Sequence, residues 1–326
     1  MVDLARLNAW LKAPETFKHH LAPDALLLDA SFDPIAWPEA EAFITSLTAE
    51  DFTITPEYSW VIVRRDAQWL RVKMDGETIT RLDLIASAPT HARMAMVYGY
   101  DGTLYSGSQI QPHDPTIQHE LENMLKHLFQ SDVFITPASR TDALVHALGA
   151  VAHFDIPFPM APEKIKQMLN QMAPKDIVIN DVHAVSPFFH ARYDVKEKTY
   201  LYQFSLQKDV AFMHKKSVLP VDDIAAFEAR MKHFEGTHDF RNFAKAKDAK
   251  NTVRTIQSVD LKIRADDAYT LEITGQGFLR HMIRMMIGAA LHFDGPTIQD
   301  GLAHPERAMK KYLAPAEGLY LYAIQY

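Results

Sequence analysis

The sequence predicts an α+β protein, in which a mixed, mainly antiparallel sheet is flanked by helices and preceded by a small α+β extension. Two patterns support this fold class. Beyond residue 90, segments in which apolar residues alternate are interspersed with segments in which they recur every three or four positions, as in strands and helices. Some adjacent strand segments are separated only by turn residues and others by a helix, so hairpins and longer connections occur in one sheet.

The extension, residues 1–90, is predicted to be a separate domain that ends in a linker at residues 86–90. Its predicted elements are helices near residues 4–11 and 40–49 and a three-stranded meander at residues 60–63, 69–72 and 78–85. No element is predicted in the acidic stretch punctuated by prolines at residues 23–38.

Residues 91–326 form the second predicted domain, which has two halves at about residues 91–206 and 207–326. Strands are predicted at residues 94–100, 133–136, 148–154, 177–185, 195–205, 253–263, 269–274 and 319–326. Helices are predicted at residues 117–128, 162–172, 221–234 and 278–293. The last strand is expected to close the sheet.

Composition limits the classes of function. The 326 residues include no Cys, which excludes disulfides and thiolate metal sites and favours a cytoplasmic location. No apolar run approaches the roughly 18 residues of a membrane helix. The His residues show no metal-ligand spacing, so we expect neither a membrane segment nor a metal.

The charge is unevenly distributed. Residues 1–92 carry 8 Lys and Arg against 14 Asp and Glu, a net charge of −6. Subtraction from the totals of 34 and 41 leaves 26 against 27 in residues 93–326, a net charge of −1. A nearly neutral domain of this kind can bind RNA if its cations share one face.

The sequence S-R-T-D-A-L-V-H-A at residues 139–147 runs directly into an apolar, alternating strand segment. A loop that enters a strand can hold a side chain in a fixed position. An Arg two residues before an Asp most often forms a loop ion pair, so Arg140 and Asp142 alone do not define a site.

Four further motifs accompany this one. They are Y-D-G-T-L-Y-S-G-S-Q-I-Q-P at residues 100–112, followed by P-T-I-Q-H-E-L-E at 115–122; F-H-A-R at 189–192, followed by K-T-Y-L-Y at 198–202; G-Q-G-F-L-R-H-M-I-R-M-M-I-G at 275–288; and A-P-A-E-G-L-Y-L at 314–321.

Together these motifs resemble those of the tRNA pseudouridine synthase A (TruA) family, whose catalytic loop reads GRTDAGVHA, and they follow the family's order across residues 93–326. The resemblance implies the pseudouridine synthase fold and an isomerase that converts uridine to pseudouridine in tRNA without a cofactor or metal. It also implies that Asp142 is the catalytic residue, that Arg140 and Arg284 support it, and that Tyr200 contacts the base. Basic residues around these motifs are candidates for phosphate contacts: Arg192, Lys198, Lys245, Lys247, Lys250 and Arg280.

The family's targets are uridines 38, 39 and 40 in the anticodon arm of tRNA, and its bacterial members are homodimers. The resemblance therefore implies tRNA as the partner, a homodimer and a cytoplasmic location. It covers none of residues 1–90. The Trp-containing strands of that extension suggest an independent core with a face for the synthase domain or for a protein partner.

Three positions depart from the family's pattern. Ser139 and Leu144 stand where the catalytic loop has glycines, and Ser108 stands where the first motif has Trp. A glycine in such a loop suggests a backbone angle that costs other residues energy, so either the loop has adjusted or the geometry around Asp142 has changed. Two alternatives follow: a catalytically inactive tRNA-binding protein of the same fold, and an unrelated carboxylate hydrolase in which Asp155 is the second acid.

Overall fold

In the computed structural model, the chain divides into two compact units, Met1–Thr90 and His91–Tyr326. The structure describes residues 9–11, 17–18, 21–28, 38, 40–42, 44, 53–57, 60–65, 68–75, 78–85, 92–208, 215–245, 251–264 and 268–326. No helix within these ranges is long and apolar enough to span a membrane.

The first unit contains a five-stranded sheet in the order β1-β5-β4-β3-β2, with β1 parallel to β5 and the other pairs antiparallel. The strands are β1 (Leu21–Leu28), β2 (Thr53–Glu57), β3 (Trp60–Arg65), β4 (Gln68–Asp75) and β5 (Thr78–Ile85). The predicted meander of β3, β4 and β5 is confirmed, whereas β1 lies where no element was predicted. Pro23 is tolerated within β1 because an edge strand leaves one side of its backbone unpaired.

The second unit contains a ten-stranded sheet. Its strands are β6 (Ala92–Tyr100), β7 (Thr136–Pro137), β8 (His146–Ile156), β9 (Ile177–Val185), β10 (Glu197–Ser205), β11 (Ser217–Val218), β12 (Gly236–Asp239), β13 (Val253–Ile263), β14 (Ala268–Gly275) and β15 (Leu319–Gln325). The main order is β12-β13-β14-β10-β15-β8-β6-β9, with β7 beside β8 and β11 beside β10. Of the described pairs, β8–β15 and β10–β11 are parallel and the others antiparallel, which confirms the predicted fold class.

Five α-helices among the described residues accompany this sheet: α1 (Ile117–Phe129), α2 (Pro162–Met172), α3 (Ile224–Lys232), α4 (Met282–His292) and α5 (Gly295–Ala303). Strand β6 illustrates the packing. Met94, Met96 and Tyr98, at every second position, lie in the large core with Leu121 of α1, whereas Ala95 lies in a smaller cluster on the opposite face. The rigid strands thereby carry the loops that connect them in fixed positions.

Three predictions for the second unit are wrong. The strand predicted at residues 133–136 is reduced to β7, because Val133 and Ile135 bury their side chains while their backbone stays outside the sheet. The helix predicted at residues 278–293 begins only at Met282, because His281 has a left-handed backbone with φ of 61°. Strand β15 does not close an edge of the sheet but lies between β10 and β8.

Candidate active site

Asp142 lies in the loop between β7 and β8, and each of its carboxylate oxygens faces a different nitrogen. Oδ2 is 3.5 Å from Nη1 of Arg284, and Oδ1 is 3.3 Å from Nε2 of His281. The Asp142 side chain is 26% exposed. The structure thus brings together a carboxylate and an arginine that are 142 positions apart in the sequence, and it adds a histidine that was not predicted as a site residue.

The main chain next to Asp142 is bonded to the first motif. The backbone N–H of Ser108 donates to the carbonyl of Thr141 over 3.1 Å, and the N–H of Thr141 donates to Oγ of Ser108 over 2.8 Å. The hydroxyls of Tyr100 and Thr141 also bond over 2.7 Å. Ser108, which stands in place of the family's Trp, therefore fixes the residue immediately before Asp142.

Two glycines of the first motif allow this close approach. Gly107 has φ of 104°, and a Cβ at this position would press against the carbonyl of Thr141. A Cβ on Gly102 would overlap the carbonyl of Val145, and the backbone N–H of Gly102 donates to Nδ1 of His146 over 3.0 Å. The first motif and the loop of Asp142 consequently pack backbone against backbone.

The departures from the family's glycines have different consequences. Leu144 keeps the left-handed backbone that a glycine would adopt, with φ of 67°, and its side chain is exposed. For a residue with a Cβ this conformation costs about 1–2 kcal/mol. The side chain of Ser139 instead lowers the pKa of Tyr200. The loop therefore retains a glycine-like geometry at residue 144 without a glycine.

Arg284 is held by the C-terminal motif. Its Nε donates to the carbonyl of Ala314 over 2.8 Å, and the N–H of Ala314 donates to the carbonyl of Arg284 over 3.0 Å. This reciprocal pair leaves the terminal nitrogens of the guanidinium for Asp142. The C-terminal motif thus orients the arginine as well as supplying β15.

Tyr200 lies on β10 beside this group and is 7% exposed. Burial raises the pKa of Tyr200 to about 12; the side chain of Ser139 opposes this increase, and the charge of Asp142 adds to it. The ring packs edge-on against Phe278 with 5.1 Å between centroids. Tyr200 is therefore a protonated group at neutral pH, and protein covers its ring face in this state.

Arg140, Arg192 and Lys198 form a group that we call the loop-side cations. Nζ of Lys198 donates to the carbonyl of Ala138 over 2.8 Å. Burial, and then the nearby Arg192, lower the pKa of Lys198 to about 8. Burial followed by Arg192 also lowers the pKa of Arg140, although Tyr193 opposes this effect. Their mutual electrostatic effects indicate a concentration of positive charge beside the loop of Asp142.

The F-H-A-R segment that carries Arg192 is fixed by buried polar groups. The N–H of Ala191 donates to Nδ1 of His153 over 3.1 Å, and the hydroxyl of Tyr326 donates to the carbonyl of Ala191 over 2.7 Å. The N–H of His190 donates to Oδ2 of Asp194 over 2.7 Å. Arg192 is thus an exposed cation on a rigid segment.

Lys245 and Arg280 form a second group, the helix-side cations. Both side chains are exposed, and the N–H of Lys245 donates to the carbonyl of Arg280 over 2.9 Å. Both lower the pKa of His281, which itself contacts the carboxylate of Asp142. Lys247 and Lys250, also predicted as phosphate contacts, lie outside the described residues.

Asp155 does not supply a second acid for a hydrolase. Its two carboxylate oxygens accept hydrogen bonds from Nε and Nη2 of Arg93, each over 2.8 Å. It lies nine residues beyond His146 along β8, roughly 30 Å at about 3.3 Å per residue. Within the described ranges, no three His, Asp or Glu side chains form a group that could hold a metal ion.

Comparison with known proteins identifies the class of protein. The model of the tRNA pseudouridine synthase family matches residues 96–194 and 231–326, more than half of the chain. The chain therefore belongs to the tRNA pseudouridine synthase family, and the class predicted from the motifs is confirmed. It is an isomerase that converts uridine to pseudouridine in tRNA.

Individual relatives agree with this assignment. The tRNA pseudouridine synthase A 1 of Bacillus cereus (strain ATCC 10987 / NRS 248) is 37% identical over 244 residues, which are 72% of this chain and 98% of the relative. The tRNA pseudouridine synthase A of Geobacillus sp. (strain WCH70) has the same identity and coverage. That of Exiguobacterium sibiricum is 39% identical over 235 residues, 70% of this chain and 94% of the relative. Residues 1–95 lie outside the family match.

Among solved structures, the crystal structure of a Cbf5-Nop10-Gar1 complex aligns with 69% of this chain and 47% of that chain. The TM-score is 0.32 and the sequence identity 12%. A similarity at this level carries no argument about this chain.

Proposed function

We propose that this protein forms pseudouridine at uridines 38, 39 and 40 in the anticodon arm of tRNA, with Asp142 as the catalytic residue. The observation that carries the proposal is the position of Asp142. It lies in the loop that resembles the family's catalytic motif, and its carboxylate contacts His281 and Arg284. With 26% of its side chain exposed, Asp142 is accessible to a substrate while most of it is shielded from water.

The chemistry requires such a carboxylate. Pseudouridine formation breaks the bond between ribose C1′ and uracil N1, rotates the base and joins C1′ to C5. The hydrogen on C5 leaves as a proton and N1 gains one, so no oxidant, reductant or second substrate is consumed. An ionised carboxylate acts on the ribose, either as a nucleophile or as a base. Arg284 places a permanent positive charge 3.5 Å from Oδ2 of this carboxylate.

The cations supply the RNA contacts in this proposal. A uridine inside an RNA strand has a phosphate on each side, and it must leave the base stack to reach a buried catalytic group. The loop-side cations include Arg140, two residues before Asp142, and the helix-side cations act on His281, which contacts Asp142. We therefore assign the two groups to phosphates on the two sides of the target nucleotide. Tyr200 borders the base with its protonated hydroxyl.

Mapping of pseudouridine in tRNA from a strain that lacks this protein tests the proposal. We expect uridines 38, 39 and 40 to remain unmodified in that strain and to be modified again when the wild-type gene is returned. Persistence of pseudouridine at all three positions would contradict the proposed target. An inactive tRNA-binding protein would restore no modification, so the same experiment separates the two alternatives.

The assembly is a further part of the proposal. We propose a cytoplasmic homodimer, as the family resemblance implies, and a protein partner for residues 1–90. Analytical ultracentrifugation is expected to give twice the mass of one chain at micromolar concentration. A single-chain mass at that concentration would exclude the homodimer.

Deletion of residues 1–90 is expected to leave a folded synthase that binds tRNA within about threefold of the full chain, because an acidic region repels phosphates. Two observations support this prediction: the compact second unit begins at His91, and residues 1–92 carry a net charge of −6. Binding titrations at several salt concentrations check it. A large loss of affinity with a shallower salt dependence would instead assign phosphate contacts to the N-terminal unit.

A further inference from the structure

The imidazole of His281 faces the carboxylate of Asp142. Nε2 lies 3.3 Å from Oδ1, while Arg284 lies 3.5 Å from Oδ2. The His281 side chain is 16% exposed, so water competes little for this contact. A ring nitrogen at this distance can donate to the carboxylate oxygen when it carries the hydrogen.

The backbone of His281 is unusual. Its φ of 61° and ψ of 3° place a residue with a Cβ in the left-handed region immediately before α4. This conformation costs about 1–2 kcal/mol, and such strain at a specific side chain is a reason to look for a role in function. The position is the N-cap of α4, yet the side chain makes no capping hydrogen bond. The start of the helix therefore does not require an imidazole.

Burial and the surrounding charges together lower the pKa of His281. Burial lowers its pKa below the ordinary value, the charge of Asp142 raises it, and Arg284, Arg280 and Lys245 lower it. These four groups come from the loop of Asp142, the start of α4 and the segment at residue 245. At neutral pH the ring can donate one hydrogen bond without adding a positive charge that would cancel the carboxylate.

We propose that His281 is a positioning residue, which donates a hydrogen bond from Nε2 to Oδ1 of Asp142 and, with Arg284 on Oδ2, sets the direction in which the carboxylate faces the ribose. This inference rests on the proposed role of Asp142. It assigns a function to a histidine that the sequence pattern alone presents as part of a helix.

Two matched substitutions separate the hydrogen bond from the shape of the side chain. His281→Gln keeps an N–H donor, and His281→Met has a side chain of similar length without one. Both substitutions leave a residue with a Cβ in the left-handed conformation, so the backbone strain is the same in both. We expect kcat of the Gln variant to stay within about threefold of wild type, and kcat of the Met variant to fall by about 10- to 100-fold, because small misorientations of a reacting group are costly. KM for tRNA should change less than about twofold, since the contact does not involve phosphates.

The pH profile gives a readout that a merely structural role would not change. Wild-type activity is expected to fall as the pH decreases through the lowered pKa of His281, because the protonated ring neutralises Asp142. The Gln variant has no such group, so the acidic limb of its profile should lie at lower pH. Equal kcat in the Gln and Met variants, whether both normal or both reduced, would overturn the proposal, as would an unchanged acidic limb.

A titration without turnover distinguishes failure of this inference from failure of the proposed function. The His281 signal in NMR spectra, assigned by its loss in His281→Gln, should titrate at lower pH in Asp142→Asn than in wild type, because the charge of Asp142 raises the pKa of His281. An unchanged His281 titration would exclude the contact even if the enzyme is active. A shifted titration in a protein that makes no pseudouridine would contradict the proposed function alone.

Discussion

Asp142 is held from two sides, and the two sides hold different parts of it. On one side, Ser108 of the first motif bonds both backbone groups of Thr141 and so fixes the main chain beside the carboxylate. On the other side, His281 and Arg284 at the start of α4 contact the carboxylate oxygens themselves. One side therefore fixes the backbone of the residue, and the other orients its carboxylate.

The comparison explains why the chain can depart from the family's pattern on one side. Backbone bonds to Thr141 need a short polar side chain in a tight space, and Ser108 provides it where the family has Trp. Contacts to a carboxylate need particular nitrogens, and here the chain keeps the H-M-x-R pattern of the family's motif at residues 281–284. Substitutions on the carboxylate side should consequently have the larger effects on catalysis.

Among substitutions on the two sides of Asp142, Arg284→Met is expected to have the largest effect on catalysis. Loss of a preorganised charge at the reacting group should lower kcat by about 10²-fold, whereas KM for tRNA should change by less than about threefold. Steady-state kinetics check this prediction, and thermal melting checks the lost bond to Ala314. Arg307→Met is the control, because this exposed arginine pairs with Asp300 and has no assigned RNA contact. A wild-type kcat in a folded Arg284→Met variant would contradict the account.

Ser108→Ala tests the main-chain side and should have an intermediate effect. It removes the acceptor for the N–H of Thr141, so we expect about a tenfold lower kcat and a loss of about 1–2 kcal/mol in the free energy of unfolding. Ser106→Ala in the same loop is the control, because its hydroxyl makes no hydrogen bond within the described residues. Equal kinetics for the two variants would mean that the Ser108 hydroxyl does not position Asp142.

Leu144→Gly should have the smallest effect. Glycine removes a left-handed strain of about 1–2 kcal/mol but costs about 0.5–1 kcal/mol in chain entropy, so the free energy of unfolding should rise by about 1.5 kcal/mol at most. We expect kcat to stay within about twofold, because the backbone already has the glycine-like φ of 67°. Gln130→Gly, at φ of 51° after α1, should give a smaller gain outside the loop, because it also removes the hydrogen bond from Nε2 of Gln130 to the carbonyl of His127. A marked rise in kcat for Leu144→Gly alone would show that the present loop geometry limits catalysis.

Local sequence patterns predicted the regular elements of the fold. Helix α2 and strand β9 begin and end at the predicted residues. Clear apolar periods define both elements, and a proline marks the start of the helix. Strand β1 was missed because Pro23 and Asp24 conceal an edge strand. The early start predicted for α4 failed at His281, whose left-handed backbone no propensity indicates.

The site was predictable only in part. The resemblance supplied Asp142 and Arg284, but their approach depends on packing between distant segments, which local patterns do not report. His281 was missed because it lies within an apolar helical motif. In a continuous helix, its spacing of three residues from Arg284 would put both on one face, and this spacing was the available signal. Nothing in the sequence indicated the hydrogen bonds between Ser108 and Thr141, because a serine in a loop can bond many different groups.

The most direct test of the account compares wild type with Asp142→Asn on tRNA that carries tritium at C5 of uridine. The C5 hydrogen leaves as a proton during the reaction, so released tritium counts turnovers. Asparagine keeps the shape of the side chain and removes the charge, so we expect the variant to bind tRNA within about twofold of wild type and to release no tritium above background. Tritium release by Asp142→Asn at a rate near that of wild type would exclude Asp142 from the chemistry and contradict the account.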